Sequence, residues 1–314
     1  MKKKNILVIG LGPVGGIFAG YLAADGHNVY GIDKWEEHVL EIRRNGLKIE
    51  YFTTLHTPLQ KVSAGMAELH GVHLDYVAIA VKTPYMPGVA AMLKDLPGEF
   101  EVVLLQNGLD NEHYAAKLLD KKKVLRMVVN YAGNMVSPGT IKMTFFNEAN
   151  KVGCICGRKN CACPGELAEI MSAAGLTTEV TADIKAFTWA KTILNASIAP
   201  VTALLGRTMA DVMGYPGTRA MVEATLHEAI AVATADGYDY GELFFDHCVS
   251  YLLKAGPHKP SMCIDLENGN PTEIDYINGR IVYYGKKHKI PVPYNTILTE
   301  LMKAREHFDS TGVS

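Results

Sequence analysis

Residues 5–34 read NILVIGLGPVGGIFAGYLAADGHNVYGIDK, and their order decides the fold. Asn5-Ile-Leu-Val-Ile9 is a continuous apolar run of the kind that forms a strand buried on both faces. Gly10-Leu-Gly12-Pro13-Val14-Gly15-Gly16 turns the chain, Ile17 to Ala24 reads as a helix, and a second strand at Asn28 to Ile32 ends at Asp33. Strand, GxGxxG, helix, strand and acid in this order make up the dinucleotide fingerprint. Gly10 permits the tight turn, Gly12 lets a pyrophosphate approach the backbone, and Gly15 lets the helix lie close to the sheet. The helix start offers unpaired N–H groups and a partial positive charge to phosphates. Gly10, Gly12, Pro13, Val14, Gly15, Asp33 and Lys34 are therefore expected at a cofactor site.

The rest of the first half repeats the theme. Strands are expected at Tyr76 to Val81, Val102 to Leu105, Lys123 to Asn130 and Lys151 to Ile155, with a turn at Ser137-Pro-Gly139. Strands alternating with helices predict a mostly parallel, doubly wound sheet. Ligands meet such sheets beyond the carboxyl ends of the strands, where Asp33, Lys82 and Asn107 fall. From about Asp183 the period becomes helical: Ala186 to Leu205, Thr218 to Asp236, Gly241 to Leu253 and Thr272 to His288. The fold class expected is α/β, a Rossmann dinucleotide-binding domain over 1–180 followed by an all-helical substrate and catalytic domain over 181–314.

Composition narrows the function classes. A chain of 314 residues is long for a single core, and 48% hydrophobic residues can fill two. A formal net charge of -2 argues against nucleic acid as a partner, which would call for a basic excess. No apolar run reaches the roughly 18 residues of a membrane span, and Met-Lys-Lys-Lys leads into a strand rather than a signal peptide. A cytoplasmic protein with a small-molecule substrate and no membrane or nucleic-acid partner is expected, with a homodimer as its assembly. Four of the six cysteines are crowded as Cys154-Ile-Cys156 and Cys161-Ala-Cys163. Disulfides are not expected in a reducing compartment. If the flanks form a hairpin, the four thiols can hold a tetrahedral Zn²⁺; the alternative is a loop of reduced thiols. Cys248 and Cys263 read as small buried hydrophobes.

Two stretches of the second half carry chemistry. In Trp189-Ala-Lys191-Thr-Ile-Leu-Asn195-Ala-Ser-Ile-Ala-Pro200, Lys191 and Asn195 share one helical face among apolar neighbours. A desolvated lysine gives up a proton more readily, whereas a lysine whose stem runs along the helix to water has no such role. The second stretch is Pro260-Ser261-Met-Cys-Ile-Asp265 followed by Pro271-Thr-Glu273-Ile-Asp-Tyr-Ile-Asn278-Gly279. Its plain reading is Ser261 as a helix N-cap and the acids as a solvated face.

Together, GLGPVGG, Val81-Lys82-Thr83, Gln106-Asn107-Gly108, Lys191-x-x-x-Asn195, Ser261-Met-x-x-Asp265 and TEIDYING over 272–279 resemble the ketopantoate reductase (2-dehydropantoate 2-reductase) family, in order over nearly the whole chain. The resemblance implies a Rossmann domain plus a helical domain, with the site in the cleft between them. It implies NAD(P)H-dependent reduction of a 2-oxo acid to a D-(R)-2-hydroxy acid, ketopantoate to pantoate in pantothenate biosynthesis. It makes Lys191 the general acid and Glu273 the carboxylate that sets the lysine and the substrate or ribose hydroxyls. Asn195 and Ser261 become substrate-binding residues. Asn107 and Lys82 are assigned to the nicotinamide ribose and the junction of cofactor and substrate.

The chain departs from the family pattern at three places. Ala199 precedes Pro200 where an asparagine is usual, and Met209-Ala210 stands where an asparagine and glycine are frequent. Both changes favour less polar, branched 2-oxo acids. Asp33-Lys34 replaces the arginine that holds the 2′-phosphate of NADPH in many relatives, so NAD(H) is expected against the family's usual NADP(H). Two alternative functions follow: an NAD-dependent D-2-hydroxyacid dehydrogenase, D-mandelate-like, on branched or aromatic 2-oxo acids, and a non-catalytic nucleotide-sensing regulator. Lys191 and Glu273 argue against the second, since neither is needed for cofactor binding alone.

Overall fold

A computed structural model describes residues 2–66, 71–117, 123–146, 148–156 and 163–311. The chain divides into two compact units, one running to Gln106 and from Asn111 to Lys185, the other made of Asn107–Asp110 and the chain from Ala186 onward.

The first unit is built on β1 (Asn5–Ile9), α1 (Pro13–Ala24), β2 (Asn28–Ile32) and α2 (Glu36–Asn45). After them come β3 (Leu47–Tyr51), β4 (Leu55–Thr57), β5 (Lys61–Ser63), β6 (Tyr76–Ile79), α3 (Met86–Lys94), β7 (Glu101–Leu104), α4 (Glu112–Ala116) and β8 (Val124–Val128). The unit is completed by β9 (Tyr131–Ser137), β10 (Thr140–Phe146), β11 (Asn150–Cys154), α5 (Cys163–Ala173) and β12 (Thr178–Val180). Eight strands form one sheet in the order β12-β11-β8-β7-β6-β1-β2-β5, parallel except where β11 meets β8 antiparallel. Strand β1 is buried on both sides: Ile6 and Val8 enter one core, Leu7 and Ile9 the other. Phe18 of α1, Ile42 of α2 and Leu167 of α5 join the first core, while Val89 and Leu93 of α3 and Ala115 of α4 join the second. This is the doubly wound arrangement that the alternating pattern predicts.

A second sheet, β4-β3-β10-β9, is not predicted by the alternating pattern, whose only mark of it is the turn at Ser137-Pro-Gly139 between β9 and β10. That turn closes a hairpin, and β10 also runs parallel to β3 from Thr140↔Lys48 to Met143↔Tyr51. The small sheet packs on α1, where Gly16 and Gly20 leave the room: a Cβ would lie 2.2 Å from Ile141 Cδ1 at the first and 2.5 Å from Ile49 Cδ1 at the second.

The second unit holds α6 (Ile184–Leu205) from Ala186 on, α7 (Met209–Gly214), α8 (Pro216–Ala235), α9 (Phe244–Leu253), α10 (Ser261–Glu267), α11 (Asn278–His288) and α12 (Pro293–Thr311). The continuous helix expected over Thr272 to His288 is corrected to a 3-10 turn at Ile274–Tyr276 and then α11. Ile277, at φ -106° and ψ -89°, lies outside helical geometry and breaks the run. Trp189 of α6 is buried with its ring edge-on to Tyr284 of α11 at 5.1 Å.

Candidate functional site

In the first unit the glycine loop connects β1 to α1 beside the point where strand order reverses, with β6 on one side of β1 and β2 on the other. Gly10 has φ +93°, and a Cβ there would sit 2.9 Å from the Val81 nitrogen. A Cβ on Gly15 would lie 1.9 Å from the Gly10 carbonyl oxygen and 2.7 Å from Ala80 Cβ. The fold itself demands both glycines. Gly12 differs. Its φ of -61° is open to any residue, and a Cβ there would meet no protein atom within 4 Å. Neither conformation nor packing requires glycine at this position, so the remaining reason lies outside the chain. Gly12 is also the N-cap of α1 and provides no side-chain cap, leaving the first N–H groups of the helix to a ligand or water. These residues fit a dinucleotide pyrophosphate.

Asp33, just past β2, is fixed by two backbone donors. The Leu11 N–H donates to Oδ2 at 2.7 Å and the Trp35 N–H to Oδ1 at 2.9 Å. A carboxylate has about four lone-pair positions, so acceptor capacity for two ribose hydroxyls remains. Lys34 sends Nζ to the Tyr85 hydroxyl at 2.9 Å and over that ring at 4.1 Å from its centroid. Lys82 is half-buried at the start of the 3-10 turn Thr83–Tyr85 that follows β6. Beyond β7, the buried Arg126 of β8 donates to the Gln106 carbonyl at 2.9 Å and reaches Glu112 at 3.5 Å.

In the second unit Asn107 leads a short strap. Gly108 has φ +87°, and a Cβ would lie 2.4 Å from the Tyr276 carbonyl oxygen, to which the Leu109 N–H donates at 2.9 Å. Leu109 is buried in the helical core. Asp110, itself at φ +64°, accepts from Arg280 and from the Tyr284 hydroxyl at 3.0 Å. Asn107 is thereby carried beside the turn that begins at the buried Glu273.

Lys191 and Asn195 lie half-buried on α6, four residues apart. Further along the same helix Pro200 has no N–H for the Ala196 carbonyl. The Asn278 side-chain amide supplies the missing donor at 2.9 Å and also donates to Asn295 Oδ1 at 3.0 Å. Asn295 in turn donates to Glu228 at 2.8 Å, so α6, α11, α12 and α8 are stitched through two buried amides. The lysine helix and the TEIDYIN segment are thus held to one another by a proline and its substitute donor. Ser261 is exposed at the first position of α10, whose N-cap is Pro260, so its hydroxyl is not the cap that the plain reading supposes. Ala199 and Met209 are buried and apolar.

The thiols of Cys154 and Cys156 lie 2.9 Å apart at the end of β11. Cys161 and the side chain of Cys163 lie outside the described residues, so the four-thiol site stays an expectation. Among the described residues no group of three or more metal-binding side chains occurs, and no helix is long and apolar enough to cross a membrane.

Residues 6–157 match the family described as Ketopantoate reductase PanE/ApbA, and residues 183–306 match its C-terminal counterpart. The chain belongs to the ketopantoate reductase family. It is 26% identical over 309 residues to a 2-dehydropantoate 2-reductase of Streptococcus pyogenes serotype M1, covering 96% of this chain and 97% of that one. The 2-dehydropantoate 2-reductase of Pyrococcus horikoshii is 27% identical with the same coverage. Among solved structures, D-mandelate dehydrogenase with NADH and anilino(oxo)acetate is similar at TM-score 0.89 and 26% identity, covering 98% of this chain and 99% of that one. A ketopantoate reductase of Ralstonia eutropha JMP134 is similar at TM-score 0.87 and 27% identity, with the same coverage. Membership makes this chain an NAD(P)-dependent oxidoreductase acting on a CH–OH group, of the 2-dehydropantoate 2-reductase type. Several supporting residues have no counterpart in the sequence motifs: Arg126, Asp110, Arg280 and His38. Only Arg126 left a signal in the sequence, a charge inside the apolar run Val124-Leu-Arg-Met-Val128.

Proposed function

We propose that this enzyme reduces a 2-oxo acid, with ketopantoate as the first candidate, to the (R)-2-hydroxy acid at the expense of NADH. The observation that carries the reading is the grouping of Asn107, Lys191, Asn195 and Glu273 in one unit, with the Asn278–Ala196 hydrogen bond holding the lysine helix to the glutamate segment. Held by the glycine loop at Gly10, Gly12 and Gly15 and by Asp33, the dinucleotide would supply a hydride to the C2 carbonyl carbon. Lys191 Nζ gives a proton to the carbonyl oxygen, so the C=O bond becomes CH–OH with one hydride and one proton consumed. Glu273 orients Lys191 and accepts from hydroxyls, while Asn195, Ser261 and Asn107 bind and orient the substrate. Buried Ala199 and Met209 offer no hydrogen bonds to a substrate hydroxyl, which extends the substrate range to less polar, branched 2-oxo acids.

NADH is favoured over NADPH by the fixed carboxylate of Asp33, which receives ribose hydroxyls and repels a 2′-phosphate, while Lys34 is engaged on Tyr85. A repulsion of about 1 kcal/mol per charge pair, even in a water-like medium, is enough to bias the choice several-fold. The D-mandelate dehydrogenase structures, solved with NADH, support the same preference. A homodimer is supported by α12, where Tyr294, Ile297, Leu301 and Phe308 are exposed and recur at the spacing of a single helix face.

The test is steady-state oxidation of NADH and NADPH against ketopantoate and a panel of branched and aromatic 2-oxo acids, for the wild type and Asp33→Ser. Ketopantoate turnover with NADH preferred, and a preference narrowed or reversed by the substitution, is the expected result. A wild-type specificity constant clearly higher with NADPH would overturn the cofactor choice, and a rate with no member of the panel would overturn the reaction.

A further inference from the structure

We propose that His38 is a positioning residue of the dinucleotide site: its imidazole holds the Leu11 carbonyl and so aims the Gly12 N–H at the cofactor's phosphates. This rests on the reading of the glycine loop as a dinucleotide site. His38 lies on α2, 1% exposed, far too buried for a solvated surface histidine. Its Nδ1 is 2.8 Å from the Gly139 backbone nitrogen, and its Nε2 is 3.0 Å from the Leu11 carbonyl oxygen. A backbone N–H can only donate and a carbonyl can only accept. The partners therefore fix the tautomer: Nδ1 accepts from Gly139, and Nε2 carries the proton and donates to Leu11.

What this bond orients follows from the peptide group. The Leu11 carbonyl and the Gly12 N–H belong to one trans peptide and point in opposite directions. Anchoring the carbonyl on His38 turns the Gly12 N–H the opposite way, at a residue where an added Cβ would meet no protein atom within 4 Å. The preceding peptide is held as well, because the Leu11 N–H donates to Asp33 Oδ2 at 2.7 Å. Both peptide groups between Gly10 and Gly12 are thus fixed by side chains, one by the carboxylate assigned to the ribose and one by His38. Trp35 stacks on the imidazole with centroids 5.3 Å apart and planes 16° from parallel, and restrains its rotation. Burial holds the imidazole below the usual histidine range, against the smaller upward pulls of the Leu11 carbonyl and the Asp33 charge, so the neutral tautomer persists. His38 touches neither substrate nor the reacting atoms; it acts through the loop.

Two substitutions separate the two bonds of the ring. In His38→Gln the side-chain amide reaches the position of Nε2 and can keep the Leu11 bond. In His38→Asn the shorter amide reaches only the position of Nδ1 and keeps the Gly139 bond. Dissociation constants for NADH, measured by calorimetry on the folded full-length chain, should stay within about threefold of wild type for Gln. They should rise roughly tenfold or more for Asn, as for a buried polar group that loses its partner. The loss should enter the KM for the dinucleotide rather than kcat, because the loop binds ground and transition states alike. Equal losses in the Gln and Asn variants, or wild-type affinity in a folded Asn variant, would overturn the role. A wild-type chain that binds no nicotinamide dinucleotide would instead overturn the cofactor reading, and the proposal with it.

Discussion

Replacing Gly12 and Gly15 one at a time by alanine separates what the fold needs from what the cofactor needs. At Gly15 a new methyl would sit 1.9 Å from the Gly10 carbonyl oxygen, a backbone atom that cannot swing aside. Overpacking of this kind destabilises by about 1–3 kcal/mol, or roughly 2–4 °C of melting temperature per kcal/mol in a unit of this size. At Gly12 the methyl meets nothing within 4 Å, and φ of -61° suits alanine. Alanine is a poorer N-cap than glycine by about 0.5–1 kcal/mol, but it lowers the entropy of the unfolded chain by a similar about 0.4–1 kcal/mol. Those terms nearly cancel, so Gly12→Ala should melt within about 2 °C of wild type. A bound pyrophosphate, however, would meet the methyl. The same overpacking range then falls on binding and weakens the dinucleotide by roughly 5- to 150-fold. Differential scanning calorimetry and titration with NADH on both variants provide the two readouts. A Gly12→Ala protein that binds NADH as tightly as wild type would refute the assignment of that face to the cofactor.

Three further outcomes follow from the hydrogen bonds and buried histidines. Asn278→Leu orphans the Ala196 carbonyl and should lower the unfolding free energy by about 1–3 kcal/mol in urea titrations. Adding Pro200→Ala restores a helical N–H for that carbonyl, so the double variant should recover part of the loss, and strict additivity would contradict the pairing. His38 and His27 are both held by burial below the usual histidine range in the folded chain. The unfolded chain therefore binds more protons below about pH 6.5, and stability should be full above it and fall on acidification by up to about 1.4 kcal/mol per pH unit for each histidine, until the folded-state pKa is passed. Urea unfolding between pH 7 and 5 checks this, and His38→Gln should flatten the slope; an unchanged slope would count against a neutral His38.

The β1–α1–β2 block was legible because every constraint on it is local. The apolar run, the glycine spacing and Asp33 all fall within thirty residues, and the φ of Gly10 follows from the turn itself. The small sheet was not legible, since Leu47–Tyr51 finds its partner in Thr140–Phe146, and only tertiary contact chooses that register. His38 belongs to the same class: its Gly139 partner is 101 residues away, and a single histidine on an amphipathic helix carries no local mark. Asn278 was read as part of a motif, yet its work as a donor replacing the Pro200 N–H depends on two helices meeting. Asp110 and Arg280, 170 residues apart, were invisible for the same reason.

The central claim is that Lys191 provides the proton for carbonyl reduction in an otherwise intact cofactor site, and Lys191→Ala tests it most directly. Turnover of ketopantoate and the dissociation constant for NADH are to be measured side by side on wild type and variant. The expected result is a fall in kcat of roughly a hundred- to ten-thousand-fold, the usual contribution of a general acid, with NADH affinity unchanged. Near-normal turnover in the folded variant would remove the lysine from the mechanism and contradict the account.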